Sequence, residues 1–422
     1  MARSARPKSL TVRCAIAGGG PAGIMLGYLL ARAGVDVVVL EKHADFFRDF
    51  RGDTVHPSTL EVMAELGLLE RLLERPHQEM RYVGGQVDGR IYQIADFTRL
   101  AVRCPYIAFM PQWDFLDFLA QEGRKLPAFR LLMETEAEAL IERHGRVVGL
   151  KARTANGPLE IAADLVVGAD GRDSVIRAAA GLKTRNLAVP IDALWIAISR
   201  RPDDPAAALG RIAHGRLLVT IDRGDYWQCA FLIRKGGLDA IRGKGLQTLR
   251  DEIAVAAPFL KDRLGEIRRW DQVKLLTVRL ERLERWSRPG LLCIGDAAHA
   301  MSPVAGVGIN LAVQDAVAAA NRLAGPLLRG APSAAQLDDV QRRREWPTKV
   351  IQGFQAFAHD QVLSRLLGVD RPVNPWPLKL FDAVPPLQGL PARFVGLGPR
   401  PEHISPELAR LFEATTTGPQ SP

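Results

Sequence analysis

Cysteine is scarce in this sequence and nowhere clustered. The 422 residues contain only Cys14, Cys104, Cys229 and Cys293, and no two of them have C-x-x-C spacing. This pattern excludes the common zinc motifs and a disulfide framework, so we expect no metal site. Cys14 and Cys293 lie in apolar runs and are predicted to be buried free thiols. Free thiols suit a reducing compartment, and we expect a cytoplasmic protein.

Long hydrophobic runs are also missing. No stretch approaches the roughly 18 consecutive apolar residues that a transmembrane helix needs. The N-terminus carries Arg3, Arg6 and Lys8 and lacks the apolar core of a secretion signal. Because 47% of the residues are hydrophobic, the chain can still bury one large core or two domains. We therefore expect a globular protein without a transmembrane segment.

Acidic residues are fewer than basic ones. There are 47 Asp and Glu against 56 Lys and Arg, which gives a net charge of +9. The basic residues are scattered, and the one local cluster, Gln341-Arg342-Arg343-Arg344, is predicted to be a solvated helix face. Because nucleic-acid sites need a basic patch or stripe, we expect no nucleic-acid partner. The arginine-rich surface can instead attract an anionic cofactor or substrate.

Glycine is concentrated near the N-terminus, after the first apolar run. Residues 12–17 predict a strand, 24–33 a helix and 35–40 a second strand, which together form a βαβ unit. Between strand and helix, a Gly-x-Gly-x-x-Gly pattern permits a tight turn and close approach of a pyrophosphate to the backbone. Glu41, beside Lys42, ends the second strand, where a carboxylate can accept hydrogen bonds from ribose hydroxyls. The predicted dinucleotide contacts are Gly18, Gly20, Pro21, Ala22, Gly23, Glu41 and Lys42.

Two further motifs each follow a predicted buried strand. Residues 163–171 end in Gly168-Ala169-Asp170-Gly171, after which Asp173 or Ser174 is suited to cap a helix. Residues 295–299 read Gly-Asp-Ala-Ala-His and precede Pro303-x-x-Gly306-x-Gly308-x-Asn310. Asp296 is suited to ribityl hydroxyls, and His299 is predicted to orient its turn through a hydrogen bond. The amides of residues 308–310 are predicted to face a flavin ring at a helix N-terminus.

In this order and spacing, the three motifs resemble the FAD-dependent aromatic monooxygenases of the para-hydroxybenzoate hydroxylase fold. The resemblance covers about residues 11–330 and is strongest in the three motifs. It implies that the glycine loop and Glu41 hold the ADP part of FAD, and that Asp170 lies where FAD and the nicotinamide cofactor both reach. It also implies flavin contacts by Arg51 and Gln112 and an adenine contact by Ala137. The complete set of third-motif residues expected to contact FAD is Asp296, Pro303, Gly308, Ile309 and Asn310.

The expected fold class is α/β, with a Rossmann-like FAD-binding domain, an inserted and mostly antiparallel β-sheet substrate domain, and a C-terminal helical segment. Successive strand patterns at 191–200, 211–222 and 226–234 indicate the inserted sheet. We place the FAD-binding domain at 11–180 and 270–330, the substrate domain at 181–269, and helices with a proline-rich tail at 331–422. Ser58 is predicted to cap the helix that follows the βαβ unit, with Glu61 completing a capping box.

The resemblance implies an NAD(P)H-dependent monooxygenase that hydroxylates an aromatic or polycyclic small molecule. In that family NADH or NADPH reduces FAD after transient docking, and molecular oxygen then forms a flavin C4a-hydroperoxide. The chain lacks the Trp-x-Trp-x-Ile-Pro signature of flavin-dependent halogenases, since Trp195-Ile196-Ala197-Ile198 does not match it. Two alternatives remain open, an FAD-dependent reductase or dehydrogenase of an isoprenoid or similar lipid, and a non-enzymatic flavin-binding protein.

No acid–base residue is assigned from the sequence. His56, His214 and Tyr226 are weak catalytic candidates, because each is more often an ordinary structural or surface residue. Substrate contacts are expected from the surroundings of Pro303 and from the inserted sheet, and the sequence leaves monomer and homodimer equally open. The inserted sheet offers Trp195, His214, Tyr226, Trp227 and Gln228.

Overall fold

The computed structural model describes residues 8–47, 52–205, 210–363, 367 and 375–417. The strands are β1 (Lys8–Ala17), β2 (Val37–Leu40), β3 (Thr54–Val55), β4 (Gln78–Met80), β5 (Tyr82–Val87), β6 (Arg90–Asp96), β7 (Ile107–Phe109), β8 (Phe129–Leu132), β9 (Thr135–Arg143), β10 (Arg146–Thr154), β11 (Gly157–Gly168), β12 (Thr184–Leu187), β13 (Ile191–Ser199), β14 (Gly210–Ala213), β15 (Arg216–Asp222), β16 (Tyr226–Arg234), β17 (Lys274–Leu276), β18 (Leu280–Leu283), β19 (Ser287–Arg288), β20 (Leu291–Cys293) and β21 (His299–Ala300).

Helices connect and cover these strands, and short 3-10 turns lie between several of them. The helices are α1 (Pro21–Arg32), α2 (Pro57–Glu65), α3 (Leu69–Leu73), α4 (Gln112–Gly123), α5 (Val175–Ala179), α6 (Leu238–Lys244), α7 (Leu246–Ala256), α8 (Gly308–Arg329), α9 (Ala334–Phe357), α10 (Trp376–Ala383), α11 (Gly389–Gly396) and α12 (Pro406–Thr417). Among the described residues, no helix has both the length and the hydropathy needed to cross a bilayer.

The central sheet has a parallel core in the order β8-β2-β1-β11-β20. The predicted βαβ unit is present as β1, α1 and β2, and every residue of β2 is buried. An apolar run suits such a strand because helices and further strands cover both faces of a parallel sheet. Helices α1 and α8 pack together in the main core of the molecule, which positions the loops before both helices at one edge of the sheet.

A second sheet has seven strands in the order β17-β13-β16-β15-β14-β5-β6. Its pairs are antiparallel except for β14 with β5. Side chains such as Leu194, Trp227 and Phe231 pack one face against α6 and α7. Strands β5 and β6 precede residue 181 and β17 follows residue 269, so this sheet draws on more than the central segment. The domain boundaries given above stay a prediction.

Two local expectations are wrong. Helix α2 begins at Pro57 with His56 as its N-cap, because proline suits the first helical position. Ser58 therefore caps nothing, and its Oγ donates to Asn310 Oδ1 at 2.6 Å. Arg344 is not part of a solvated face of α9, since only 1% of it is exposed. The cysteine expectation is confirmed, because Cys14 and Cys293 are buried and free.

Candidate cofactor site

The three sequence motifs follow adjacent parallel strands of the central sheet. Ala17 of β1 is in register with Leu40 of β2 and with Gly168 of β11, and Gly168 is in register with Cys293 of β20. The residues that follow these four positions therefore begin at one edge of the sheet. Ligands of open α/β sheets bind outside the carboxyl ends of the strands, which is the edge where the motifs meet.

The glycine loop leaves no room for side chains at two of its positions. Gly18 has φ +105°, and a Cβ on it would lie 2.3 Å from the Ala169 carbonyl oxygen. A Cβ on Gly23 would lie 1.9 Å from the Gly18 carbonyl oxygen, so α1 packs directly on the loop. A Cβ on Gly20, by contrast, would meet no described atom within 4 Å. The loop thus opens at Gly20, beside the first amides of α1.

The start of α1 suits an anionic group. Pro21 occupies the first turn, Gly20 is the N-cap, and no described side chain caps the helix. Its first N–H groups and the positive end of its dipole are thus available to a phosphate. Ala22 is buried against the core and Pro21 is partly exposed at the loop. The cradle fits the pyrophosphate of a dinucleotide.

Glu41 lies beside the glycine loop. Its Oε2 accepts from Gly19 N at 3.2 Å and its Oε1 from His43 N at 3.1 Å. These bonds hold the partly exposed carboxylate at the sheet edge, where ribose hydroxyls can reach it. Lys42 is exposed. Thr135 N donates to the Glu41 carbonyl oxygen at 2.9 Å, which brings β9, and Ala137 two residues further on, close to the same edge.

The middle motif stabilises the start of α5. Asp170 Oδ1 accepts from Ser174 Oγ at 2.5 Å and Oδ2 from Ile176 N at 3.1 Å. Ser174 is the N-cap and accepts from Arg177 N at 2.9 Å, so Ser174 and not Asp173 caps this helix. Burial raises the pKa of Asp170 above its usual range. Both carboxylate oxygens have partners in their own turn, and a cofactor contact by Asp170 stays a prediction.

The third motif is joined to the second. Arg172 Nε donates to Asp296 Oδ2 at 3.1 Å, and both side chains are partly exposed, at 26% and 32%. Arg177 reaches the same turn, donating to the Ala297 carbonyl oxygen at 3.3 Å. The Asp296 carboxylate is thus fixed in direction and still accessible from solvent.

A buried polar network lies beneath the third motif. Asp315 Oδ2 accepts from Gly295 N at 3.0 Å and from His299 Nε2 at 2.6 Å, while Oδ1 accepts from Arg344 Nε at 3.0 Å. Burial acts to raise the pKa of Asp315, but the neighbouring His299 and Arg344 hold it below its usual range. His299 thus orients its turn through Asp315, as expected of a structural histidine. Asp315 and Arg344 have no motif in the sequence, where only the arginine cluster gives a signal.

The loop before α8 is held from below. Thr54 Oγ1 donates to the Gly306 carbonyl oxygen at 2.8 Å, and His56 Nε2 lies 3.1 Å from the same oxygen. Ala305 has φ +67°, a left-handed conformation that is strained for a residue with a Cβ. Pro303 and Ala305 are exposed, and a Cβ on Gly308 would meet no described atom within 4 Å. The N-terminus of α8 therefore faces open space.

Gly52, Gln112 and Ile309 meet beside the start of α8. A Cβ on Gly52 would lie 3.3 Å from Ile309 Cδ1 and 3.9 Å from Gln112 Oε1. Asn310 is buried, and its Oδ1 accepts from Ser58 and Thr59, so its side chain is directed into the protein. Arg51 lies outside the described residues.

The structure does not bring the three catalytic candidates together. His56 is fully buried, its Nδ1 lies 2.9 Å from the Val395 carbonyl oxygen, and burial lowers its pKa to about 4. His214 is exposed in the turn between β14 and β15, and Tyr226 follows the other end of β15. Trp227 packs into the core under α7, whereas Gln228 lies on the opposite face of the sheet. A catalytic role stays a prediction for each of the three.

Comparison with known proteins gives consistent matches. Residues 11–353 match the protein family described as FAD binding domain. A 6-methylpretetramide 4-monooxygenase from Streptomyces rimosus is 32% identical over 351 residues, which cover 83% of this chain and 84% of the relative. A p-nitrophenol 4-monooxygenase structure from Pseudomonas putida is 19% identical with a TM-score of 0.74, covering 93% of this chain and 100% of its own. An anhydrotetracycline hydroxylase structure from Streptomyces rimosus is 23% identical with a TM-score of 0.71, covering 92% and 76%. The structural matches confirm the predicted fold class.

Proposed function

Because this chain belongs to the FAD binding domain family, we propose that it hydroxylates a polycyclic aromatic small molecule with molecular oxygen. The chain is an FAD-dependent monooxygenase, and NADH or NADPH is its reductant. The observation that carries the site assignment is the meeting of three motifs at one edge of the parallel sheet. The substrate class follows from 6-methylpretetramide, the compound that names the 32% identical relative.

We assign the ADP part of FAD to the glycine loop and Glu41. The amides at the start of α1 bind the pyrophosphate, and Gly20 leaves the space for it. Glu41 accepts from the ribose hydroxyls. Asp296, directed by Arg172, accepts from the ribityl hydroxyls. With the ADP and ribityl parts held there, the flavin ring would extend toward the loop at 303–308.

Residues around the start of α8 are then close enough to stabilise charge on the flavin ring. FAD, when bound, accepts the hydride and activates oxygen. The N–H groups of the first turn of α8, near Gly308 and Ile309, stabilise negative charge beside them, because the helix dipole is positive there. Gly52 and Gln112 border the same space. The hydrogen bond from Thr54 to Gly306, and the packing of His56 Nε2 3.1 Å from the same carbonyl oxygen, keep this loop in position while substrate and nicotinamide exchange.

Labelled oxygen provides the test of the reaction. A panel of polycyclic aromatic compounds is screened for those that accelerate NADH or NADPH oxidation, and accepted compounds are incubated under ¹⁸O₂. We expect incorporation of one labelled oxygen atom into the product. Substrate-dependent NAD(P)H oxidation with an unlabelled, reduced or dehydrogenated product would instead support the reductase alternative and overturn the hydroxylase.

Cofactor retention provides the test of the site. Replacing Glu41 or Asp296 by alanine removes a charged acceptor for cofactor hydroxyls, and we expect FAD to bind about tenfold more weakly or worse. Exposed carboxylates outside the site, Glu407 and Asp239, supply matched alanine controls. Equal FAD affinity in all four variants would overturn the assignment. Flavin absorbance after dialysis measures the retained fraction.

Two finer points remain part of the proposal. We place the protein in the cytoplasm, since all four cysteines are free and buried. We expect a monomer or a homodimer, which sedimentation velocity distinguishes.

A further inference from the structure

The second sheet presents an apolar face on the side opposite α6 and α7. Successive side chains of a strand point to opposite faces, so Trp195 of β13, Val219 of β15 and Ala230 of β16 lie on this face. Val219 is partly exposed, and Ala197, further along β13, is exposed. One polar residue, Gln228, lies among these side chains. It is in direct register with Ala197 on one side and Ile221 on the other.

The orientation of the Gln228 amide is fixed by an arginine. Arg223 Nε donates to Gln228 Oε1 at 3.0 Å, and Arg223 NH2 donates to the same oxygen at 2.8 Å. Guanidinium nitrogens only donate, so the oxygen of Gln228 must face Arg223 and the NH₂ group must point away. Only 3% of Gln228 is exposed, and its Nε2 has no hydrogen-bond acceptor within the described part of the chain. A buried donor without an acceptor is unfavourable and is satisfied when a ligand supplies one.

Arg223 is itself anchored near the candidate flavin site. It is paired with Asp53, 170 residues away, and the exposed fractions of the two side chains are 9% and 4%. Burial lowers the pKa of Arg223, and the Asp53 carboxylate supplies the opposite charge beside this buried guanidinium. Asp53 directly follows Gly52, which packs against Ile309 at the start of α8. The ion pair thus links the Gln228 amide on β16 to the segment that packs beside the start of α8.

We propose that Gln228 Nε2 donates a hydrogen bond to an acceptor oxygen of the substrate, a ring carbonyl or phenolate, while Arg223 and Asp53 act as positioning residues. The apolar neighbours Trp195, Val219 and Ala230 contact the fused rings, and the single donor sets which edge of the substrate enters first. This assignment rests on the proposed hydroxylation of a polycyclic aromatic compound. A site that offers a buried donor discriminates against analogues without the matching acceptor.

The Gln228→Glu variant separates recognition from structure. A carboxylate keeps an acceptor for Arg223 but replaces the NH₂ group that points away from Arg223 by an oxygen. Gln228→Met removes both functions and provides a second variant if the first folds poorly. The matched control is Gln86→Glu, because Gln86 Oε1 also accepts from an arginine of this sheet, Arg211. Gln86 belongs to no part of the proposed site.

The probes are anthraquinone sulfonate and anthracene sulfonate, with the sulfonate on the same ring carbon. Each is titrated into the FAD-loaded enzyme at alkaline pH, and binding is read from the flavin absorbance. We expect the wild type and Gln86→Glu to prefer the quinone by about tenfold, the difference that one hydrogen bond makes. Both Gln228 variants should lose this preference through weaker quinone binding, with anthracene affinity unchanged within about twofold.

Other outcomes distinguish the role of Gln228 from the proposed hydroxylation. A quinone preference that survives in both Gln228 variants, or a wild type that binds both probes equally, overturns the role of Gln228 and leaves the hydroxylase proposal intact. A wild type that binds neither probe contradicts the polycyclic substrate class, and the role of Gln228 fails with it.

Discussion

Replacing Asp315 by asparagine should weaken both the fold and the cofactor site. The change keeps the size of the side chain but removes the charge that faces Arg344, and it turns one acceptor into a donor. Arg344 is 1% exposed and would retain Glu402 Oε1, at 3.4 Å, and the Arg400 carbonyl oxygen, at 3.3 Å. Breaking a buried ion pair typically lowers the free energy of unfolding by about 3–5 kcal/mol, and we expect a loss in that range. FAD affinity should fall as well, because the single oxygen of asparagine cannot serve both Arg344 and the Gly295 amide, and the turn that carries Asp296 loosens.

Denaturant unfolding of the FAD-free protein measures the first effect, and flavin titration measures the second. The control is Asp339→Asn on α9, because Asp339 forms an exposed ion pair with Arg342 that should contribute no more than about 1 kcal/mol. A loss below about 1 kcal/mol for Asp315→Asn, with FAD affinity unchanged, would refute the reasoning.

Two further predictions concern Gly23 and His56. Gly23→Ala should abolish FAD retention, because its Cβ would lie 1.9 Å from the Gly18 carbonyl oxygen. The control Gly243→Ala in α6, with open space around it, should retain FAD. Equal flavin content of the two purified variants would contradict the predicted packing. His56 has a folded-state pKa of about 4 against an ordinary 6.5, so its contribution to stability is complete above pH 6.5 and is lost as the pH falls toward 4. The loss in the free energy of unfolding amounts to about 3 kcal/mol. The free energy of unfolding, measured across this pH range, should depend less on pH in His56→Asn than in wild type. Parallel curves of this free energy against pH for the two proteins would exclude His56 as the source.

The cofactor edge could be anticipated because its information is local. Each motif consists of a buried strand followed by a glycine or carboxylate, and parallel strands deliver their carboxyl ends to one edge. Gly18, Glu41 and Asp296 could therefore be placed together without knowing the rest of the fold. The same logic gave the α/β class, which the structural matches confirm.

The buried ion pairs could not be anticipated, because their partners are distant in the sequence. Arg344 belongs to a run of arginines that resembles any solvated helix face, and only its contact with Asp315 on α8 distinguishes it. Asp53 precedes β3 and Arg223 follows β15, in loops beside different sheets, and neither has a local pattern. The misplaced cap at Ser58 has a local cause, since His56 and Pro57 begin the helix two positions earlier.

The contacts of the C-terminal segment affect the timing of folding during synthesis. His56, near the start of the chain, meets the carbonyl of Val395, 339 residues later, and Arg343 is paired with Glu402. Ribosomes release the chain from its N-terminus, so the βαβ unit emerges long before the segment that completes its surroundings. Until then His56 and Arg343 lack these partners, and contacts of such long sequence separation form slowly. The nascent flavin site therefore stays accessible to chaperones and proteases until residue 402 has left the ribosome.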